Sequence, residues 1–245
     1  MTAIADEFVA FDLETTGLSP KVDRIIEIGA VRFDAHGNPV ATLDLLVDPG
    51  IPIPLAIQRL VGLSNSDVAG APTPVEGLAQ LADLCEGAHL VGHGTTLDMA
   101  FCTALLPDTF GRRMIFDTLD LARIFLPRNL SHSLPLLTLE LGLGDHRAHR
   151  AYSDADATRR LFLMLAEVAA GLPTATVAEM RRVAAQGGGA LEAFLSLPLL
   201  SSASPGVSAP RPSSASVPEP RSEAPGQAVP VTPLPEAAAR LLAPD

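Results

Sequence analysis

The chain has 245 residues, 47% hydrophobic and 18% charged, enough for one large or two small globular domains with an adequate core. Its net charge is −11, and 16 of its 17 basic residues are arginine, which disfavours bulk binding of a polyanion unless some carboxylates hold metal ions. No run of about 18 apolar residues occurs, so no membrane-spanning helix is expected.

In chain order, Phe8–Leu13 reads as a short buried strand, Ile25–Phe33 as a second and Val40–Val47 as a third. The turn cluster His36-Gly37-Asn38-Pro39 separates the last two, which predicts an antiparallel meander. Pro54–Val61 reads as a short helix and Val75–Cys85 as a longer one, before a brief strand at His89–Gly92 and a helix at Thr96–Leu106. A fifth strand follows at Ile115–Thr118, with helices at 118–126, 133–142 and 153–170. This order predicts an α/β protein with a mixed five-stranded sheet flanked by helices.

Composition changes near residue 198: ten prolines fall between Pro198 and Pro235, among many Ser, Ala and Gly. Such a stretch cannot bury enough apolar surface to offset its ordering entropy. The expected organisation is a folded domain over 1–170, a helical extension over 171–197 that includes Thr176–Ala185, and a disordered tail over 198–245 with a short helix at Leu234–Leu242. The N-terminus carries Asp6 and Glu7 and lacks the basic and apolar regions of a signal peptide, so a cytoplasmic protein is expected. Cys85 and Cys102 form no Cys-x-x-Cys or Cys/His cluster and are expected as buried free thiols.

Three segments carry candidate chemistry. Asp12-Leu-Glu14-Thr-Thr-Gly17 ends the first strand, where alternation puts both carboxylates on one face. Paired carboxylates at the end of an apolar strand repel unless a cation lies between them, and oxygen ligands suit Mg²⁺ or Mn²⁺. Asp98 falls in the first turn of its helix, where the dipole alone would favour it, and His93 of the preceding Gly92-His-Gly94 turn is expected to be structural. In the third segment, His149-Arg-Ala-Tyr-Ser-Asp154, Asp154 opens the long helix with Ser153 as N-cap. Leu161, Leu163, Leu165 and Val168 then form the helix's buried side, Asp156 faces solvent, and Arg159-Arg160 forms a solvated face or a phosphate contact.

Taken together, the segments resemble the DEDD-type 3′–5′ exonuclease family of the ribonuclease H-like fold, in its His-bearing branch, which includes the proofreading epsilon subunit of bacterial DNA polymerase III. The tyrosine of the other branch would stand at Arg150. Gln58–Leu63, Gly70–Pro72, Asp117–Ala122 and Leu139–Leu143 add weaker parallels, so the resemblance covers residues 7–170. It implies two-metal hydrolysis of DNA from the 3′ end, with Asp12, Glu14, Asp98 and Asp154 holding two Mg²⁺ or Mn²⁺ ions and His149 as general base. Thr15, Thr16, Gly17, Leu18 and His93 would line the terminal-nucleotide slot. Trimming of RNA on the same site and a non-catalytic binding module are the alternatives.

The resemblance also implies partners. Residues 1–170 carry 12 basic and 22 acidic residues, a net of −10, so hold on a long nucleic acid is expected to be weak without help. Phe194–Leu200 resembles a sliding-clamp-binding peptide, with Leu195, Leu197 and Leu199 as its anchors, although Phe194 stands where glutamine belongs. The other reading is that these leucines pack back on the domain. A contact of Leu234–Leu242 with the polymerase III alpha subunit is a further expectation, and neither contact excludes the other. One departure from the family pattern is Gly94, where Asn usually follows the histidine.

Overall fold

The computed structural model describes residues 7–111, 113–187 and 189–197. Its elements are β1 (Glu7–Thr15), β2 (Ile25–Asp34), β3 (Pro39–Leu46), α1 (Leu55–Val61), α2 (Asn65–Val68), α3 (Pro74–Leu84), β4 (His89–Gly92), α4 (Thr96–Leu105), α5 (Pro107–Phe110), β5 (Ile115–Asp117), α6 (Thr118–Phe125), α7 (Leu134–Glu140), α8 (Ala151–Ala170), α9 (Thr174–Gly187) and α10 (Ala190–Leu195). The strands form one sheet in the order β3-β2-β1-β4-β5. The meander is antiparallel, while β4 and β5 run parallel to β1. The mixed five-stranded sheet expected from the sequence is therefore present, and β1 lies at its centre.

Both faces of β1 are covered, and its alternation sorts the core. Phe8 and Ala10 pack with α8, together with Phe33, Phe116 and Phe162. Val9, Phe11 and Leu13 pack on the opposite side with Leu78, Leu81, Phe101 and Cys102. Cys85 and Cys102 are buried free thiols, and burial pushes Cys85 up to about 12. Helix α8 begins at Ala151, so Ser153 is not its N-cap but lies inside the first turn, where its hydroxyl accepts from Arg147 N–H at 2.8 Å. Its buried stripe runs through Ala151, Asp154, Ala155, Thr158, Leu161, Phe162, Leu165, Ala166 and Ala169, a spacing of three and four. Leu163 and Val168 are only partly buried. Gly29 of β2 lets this helix come down: a Cβ there would lie 2.0 Å from the Ala151 carbonyl carbon.

The segment 171–197 is woven into the same core. Phe194, Leu195 and Leu197 are essentially inaccessible, and the Phe194 ring lies 5.5 Å from Phe162 and 5.6 Å from Phe125. The expectation that Leu195 and Leu197 anchor a docking peptide is thus overturned, because exposing them would forfeit about 1.5–3 kcal/mol for each buried side chain. Leu199, Leu234–Leu242 and the predicted tail lie outside the described residues. Arg159 and Arg160 are not a free basic face: both pair with the half-buried Asp156, Arg159 donates to Gly37 O, and Arg160 donates to Leu143 O and Asp145 O.

Candidate metal centre

Asp12 and Glu14 continue the α8-facing series of β1 beyond Phe8 and Ala10, at the end of the strand. Asp154, one turn into α8 on its buried stripe, comes over them from above the sheet. Carboxylate oxygens of Asp12, Glu14 and Asp154 lie within 4.8 Å of one another. Burial pushes the Asp12 carboxyl well above the usual carboxylate range, and the charges of Asp98, Asp154, Glu14 and Glu27 push it further. Glu14 is pushed up to about 8, first by burial and then by Asp154, Glu27 and Asp98; Arg150 offsets only part of this. An all-oxygen donor set whose members repel one another fits a hard divalent cation.

Asp98, in the first turn of α4, stands beside this triad, and its Oδ1 accepts Leu13 N–H at 3.1 Å. Burial raises it to about 6 against the hydrogen bonds it receives. Its charge nevertheless acts on both Asp12 and Glu14.

The histidine expected at Asp154 is not the one found there. His149 is exposed, in a left-handed backbone conformation with φ 62°. His146, with its side chain 6% exposed, instead places Nε2 at 2.5 Å from Asp154 Oδ1. The other oxygen, Oδ2, accepts Arg150 N–H at 3.2 Å. His146 could have been read from its place in the same loop, three residues before His149.

One further residue escaped the sequence reading. Glu27 is fully buried on β2, in register with Glu14. Its Oε1 accepts from Arg150 at 2.8–2.9 Å, and its Oε2 accepts Ala151 N–H at 3.2 Å. The available signal was a charged residue in the otherwise apolar run Ile25-Ile-Glu-Ile.

In the loop after β1, Thr16 is buried; its N–H donates to Arg24 O and its hydroxyl accepts Arg24 N–H, so it shapes the loop from within. The Thr15 hydroxyl donates to Gly17 O, a Cβ on Gly17 would strike the Asp23 carboxylate at 2.6 Å, and Leu18 stands 80% exposed at the tip. His93 Nδ1 lies 2.9 Å from Thr118 Oγ1, and burial holds its pKa below the usual histidine value. Gly94, with φ 69°, donates its N–H to Asp117 Oδ1.

A ribonuclease H-like fold is what this sheet order and its carboxylate-bearing central strand define. The chain aligns with Exonuclease I in its apo form at TM-score 0.58 and 18% identity, covering 74% of this chain and 47% of that one. It also aligns with E. coli Exonuclease I in complex with a dA16 oligonucleotide at TM-score 0.56 and 20% identity, covering 64% and 40%. Residues 9–162 match the RNase_T exonuclease family, and the chain belongs to that family. Among its relatives, the DNA polymerase III PolC-type of Clostridium perfringens is 37% identical over 159 residues, 64% of this chain but 11% of that protein. The 3′-5′ exonuclease DinG of Bacillus subtilis is 35% identical over 185 residues, 72% of this chain and 19% of that protein. The chain therefore spans only a small part of these relatives.

Proposed function

We propose that the chain is a cytoplasmic 3′–5′ exonuclease that removes nucleotides from single-stranded or frayed DNA ends, in proofreading or repair, with two Mg²⁺ or Mn²⁺ ions. The observation that carries this reading is the triad Asp12, Glu14 and Asp154, whose oxygens converge within 4.8 Å while burial and neighbouring carboxylates disfavour the ionised forms of Asp12 and Glu14. Family membership and the DNA-related names of the polymerase and Exonuclease I relatives support DNA as the substrate.

Asp12, Glu14 and Asp154 would hold the cations, with Asp98 flanking Asp12. When bound, such ions would acidify water and neutralise charge on the scissile phosphate. Leu18, exposed on the loop after β1, would lie against the terminal base, and Thr15, Gly17 and His93 would border the slot. His149 would accept the proton of the attacking water after its loop turns inward. A second reading has a specific observation behind it: His146 already lies on Asp154, which makes it the competing candidate for that role. The acidic surface points to a partner that keeps the enzyme on its substrate, such as a polymerase subunit.

The test is release of nucleotides from 3′-labelled single strands of DNA and RNA with Mn²⁺, with and without EDTA. Metal-dependent release from DNA is expected. Release from RNA alone would reassign the substrate, and no release from either would overturn the enzyme reading.

A further inference from the structure

The buried pair Glu27–Arg150 has no part in the donor set, yet it joins β2 to the start of the helix that carries Asp154. Glu27 is fully inaccessible on β2, and an ionised carboxylate is tolerated there only with close compensation. The compensation comes from one place, the start of α8: the Arg150 guanidinium at 2.8 Å and the Ala151 N–H at 3.2 Å. Arg150 is the residue between His149 and the helix, and its own N–H donates to Asp154 Oδ2 at 3.2 Å. One residue thus holds β2 through its side chain and Asp154 through its backbone.

Register makes the geometry tight. Glu27 faces Glu14 across the β1–β2 ladder, and Gly29 faces Asp12. Gly29 sets how close α8 approaches, since its missing Cβ leaves the Ala151 backbone resting on β2. Glu27 sets where along β2 the helix starts. Residues that merely filled this core would not need a charge at a fully buried position.

We propose that Glu27–Arg150 is a positioning clamp: it fixes the N-terminus of α8 against β2, so that Asp154 meets Asp12 and Glu14. This rests on the proposed exonuclease reading for its catalytic consequence, but its effect on metal binding does not. Arg150 touches no donor atom of the triad through its side chain, so it is a positioning residue rather than a catalytic one.

The experiment compares Arg150→Met, Glu27→Met/Arg150→Met and Glu27→Gln/Arg150→Gln with wild type. Its readouts are thermal unfolding, Mn²⁺ binding followed by electron paramagnetic resonance of the free ion, and kcat and KM on 3′-labelled single-stranded DNA. Arg150→Met leaves a buried charge unpaired and is expected to destabilise strongly. The Met pair removes one charge of each sign, so net charge is unchanged and stability should return to near wild type. Its Mn²⁺ affinity should nevertheless stay about tenfold weaker and its kcat about 30-fold lower, with KM within about twofold, because the helix start is no longer fixed. Should the Met pair fold poorly, the Gln pair, which keeps an acceptor for Ala151 N–H, reports the same quantities. A well-folded pair with wild-type Mn²⁺ affinity and kcat would overturn the clamp and leave an ordinary core ion pair. If wild type releases no nucleotides, the exonuclease reading fails alone, and the Mn²⁺ affinities still decide the clamp.

Discussion

Two acidic strand ends on the same sheet have opposite fates. Asp117 closes β5 and caps α6; its carboxylate accepts Gly94 N–H, Thr95 N–H and Leu119 N–H at 2.9 Å each and the Thr95 hydroxyl at 3.0 Å. Burial alone would raise it, but these hydrogen bonds outweigh burial and hold it below the usual carboxylate range. Asp12, near the end of β1, is acted on by burial and by four like charges, and it moves the other way. A carboxylate that the fold surrounds with donors is structural, whereas one that the fold surrounds with carboxylates is held ready for a cation.

Exchanging each for its neutral isostere separates the two. Asp12→Asn should lower nucleotide release by at least about 10⁴-fold, measured with Mn²⁺ on 3′-labelled DNA, while leaving the fold intact. Asp117→Asn should keep Mn²⁺-dependent activity but lower the melting temperature by about 5–10 °C, because charge-assisted hydrogen bonds are lost at the starts of α4 and α6 and at the Gly94 turn before α4. Loss of Mn²⁺ response in Asp117→Asn with a wild-type melting temperature would break the comparison.

The pH dependence of the metal-free protein sharpens it further. Glu14 and Asp98 have folded values raised to about 8 and about 6, above those of an unfolded chain. The folded state therefore binds more protons than the unfolded state between the ordinary carboxylate range and those values, and stability falls as pH rises through that window. In EDTA the melting temperature should fall by roughly 5 °C between about pH 5.5 and about pH 8, and Glu14→Gln should flatten the slope. A rising slope would contradict the raised values.

The smallest effect concerns Gly94. Asn usually stands at this position in the family pattern; here Asp117 orders the loop, and Gly94 has a left-handed φ of 69° that Asn tolerates. A side chain there would meet only Leu119 Cδ2 at 3.5 Å. Gly94→Asn should lower KM for single-stranded DNA by about two- to threefold through an added hydrogen bond and leave the melting temperature within about 2 °C.

Alternation and turn chemistry made the meander legible: Phe8–Leu13, the His36–Pro39 turn and the two apolar parallel strands are found at or within a few residues of their expected bounds. The four-residue helices α2 and α5 and the six-residue α10 are too short for helical periodicity to show. Strand alternation made Asp12 and Glu14 legible as a pair, whereas Asp98 and Asp154 joined them only through the family resemblance. What holds them together was not legible. Glu27 meets Arg150 across 123 residues, and the path of one loop sets His146 rather than His149 against Asp154, neither of which a local pattern encodes. Leu195 and Leu197 misled because a short Leu-Pro segment reads the same whether it is exposed or packed into the core.

The central claim is that Asp12 belongs to a cluster that repels itself without a cation and binds one. Thermal unfolding of wild type and Asp12→Asn, each in EDTA and in saturating Mn²⁺, tests it most directly. The account predicts that Asp12→Asn melts at or above wild type in EDTA, and that Mn²⁺ raises wild type by roughly 5–10 °C, as binding at about 100 times Kd would, while leaving the variant nearly unmoved. A variant that melts well below wild type in EDTA, or that gains as much from Mn²⁺, would contradict the assignment of a metal centre.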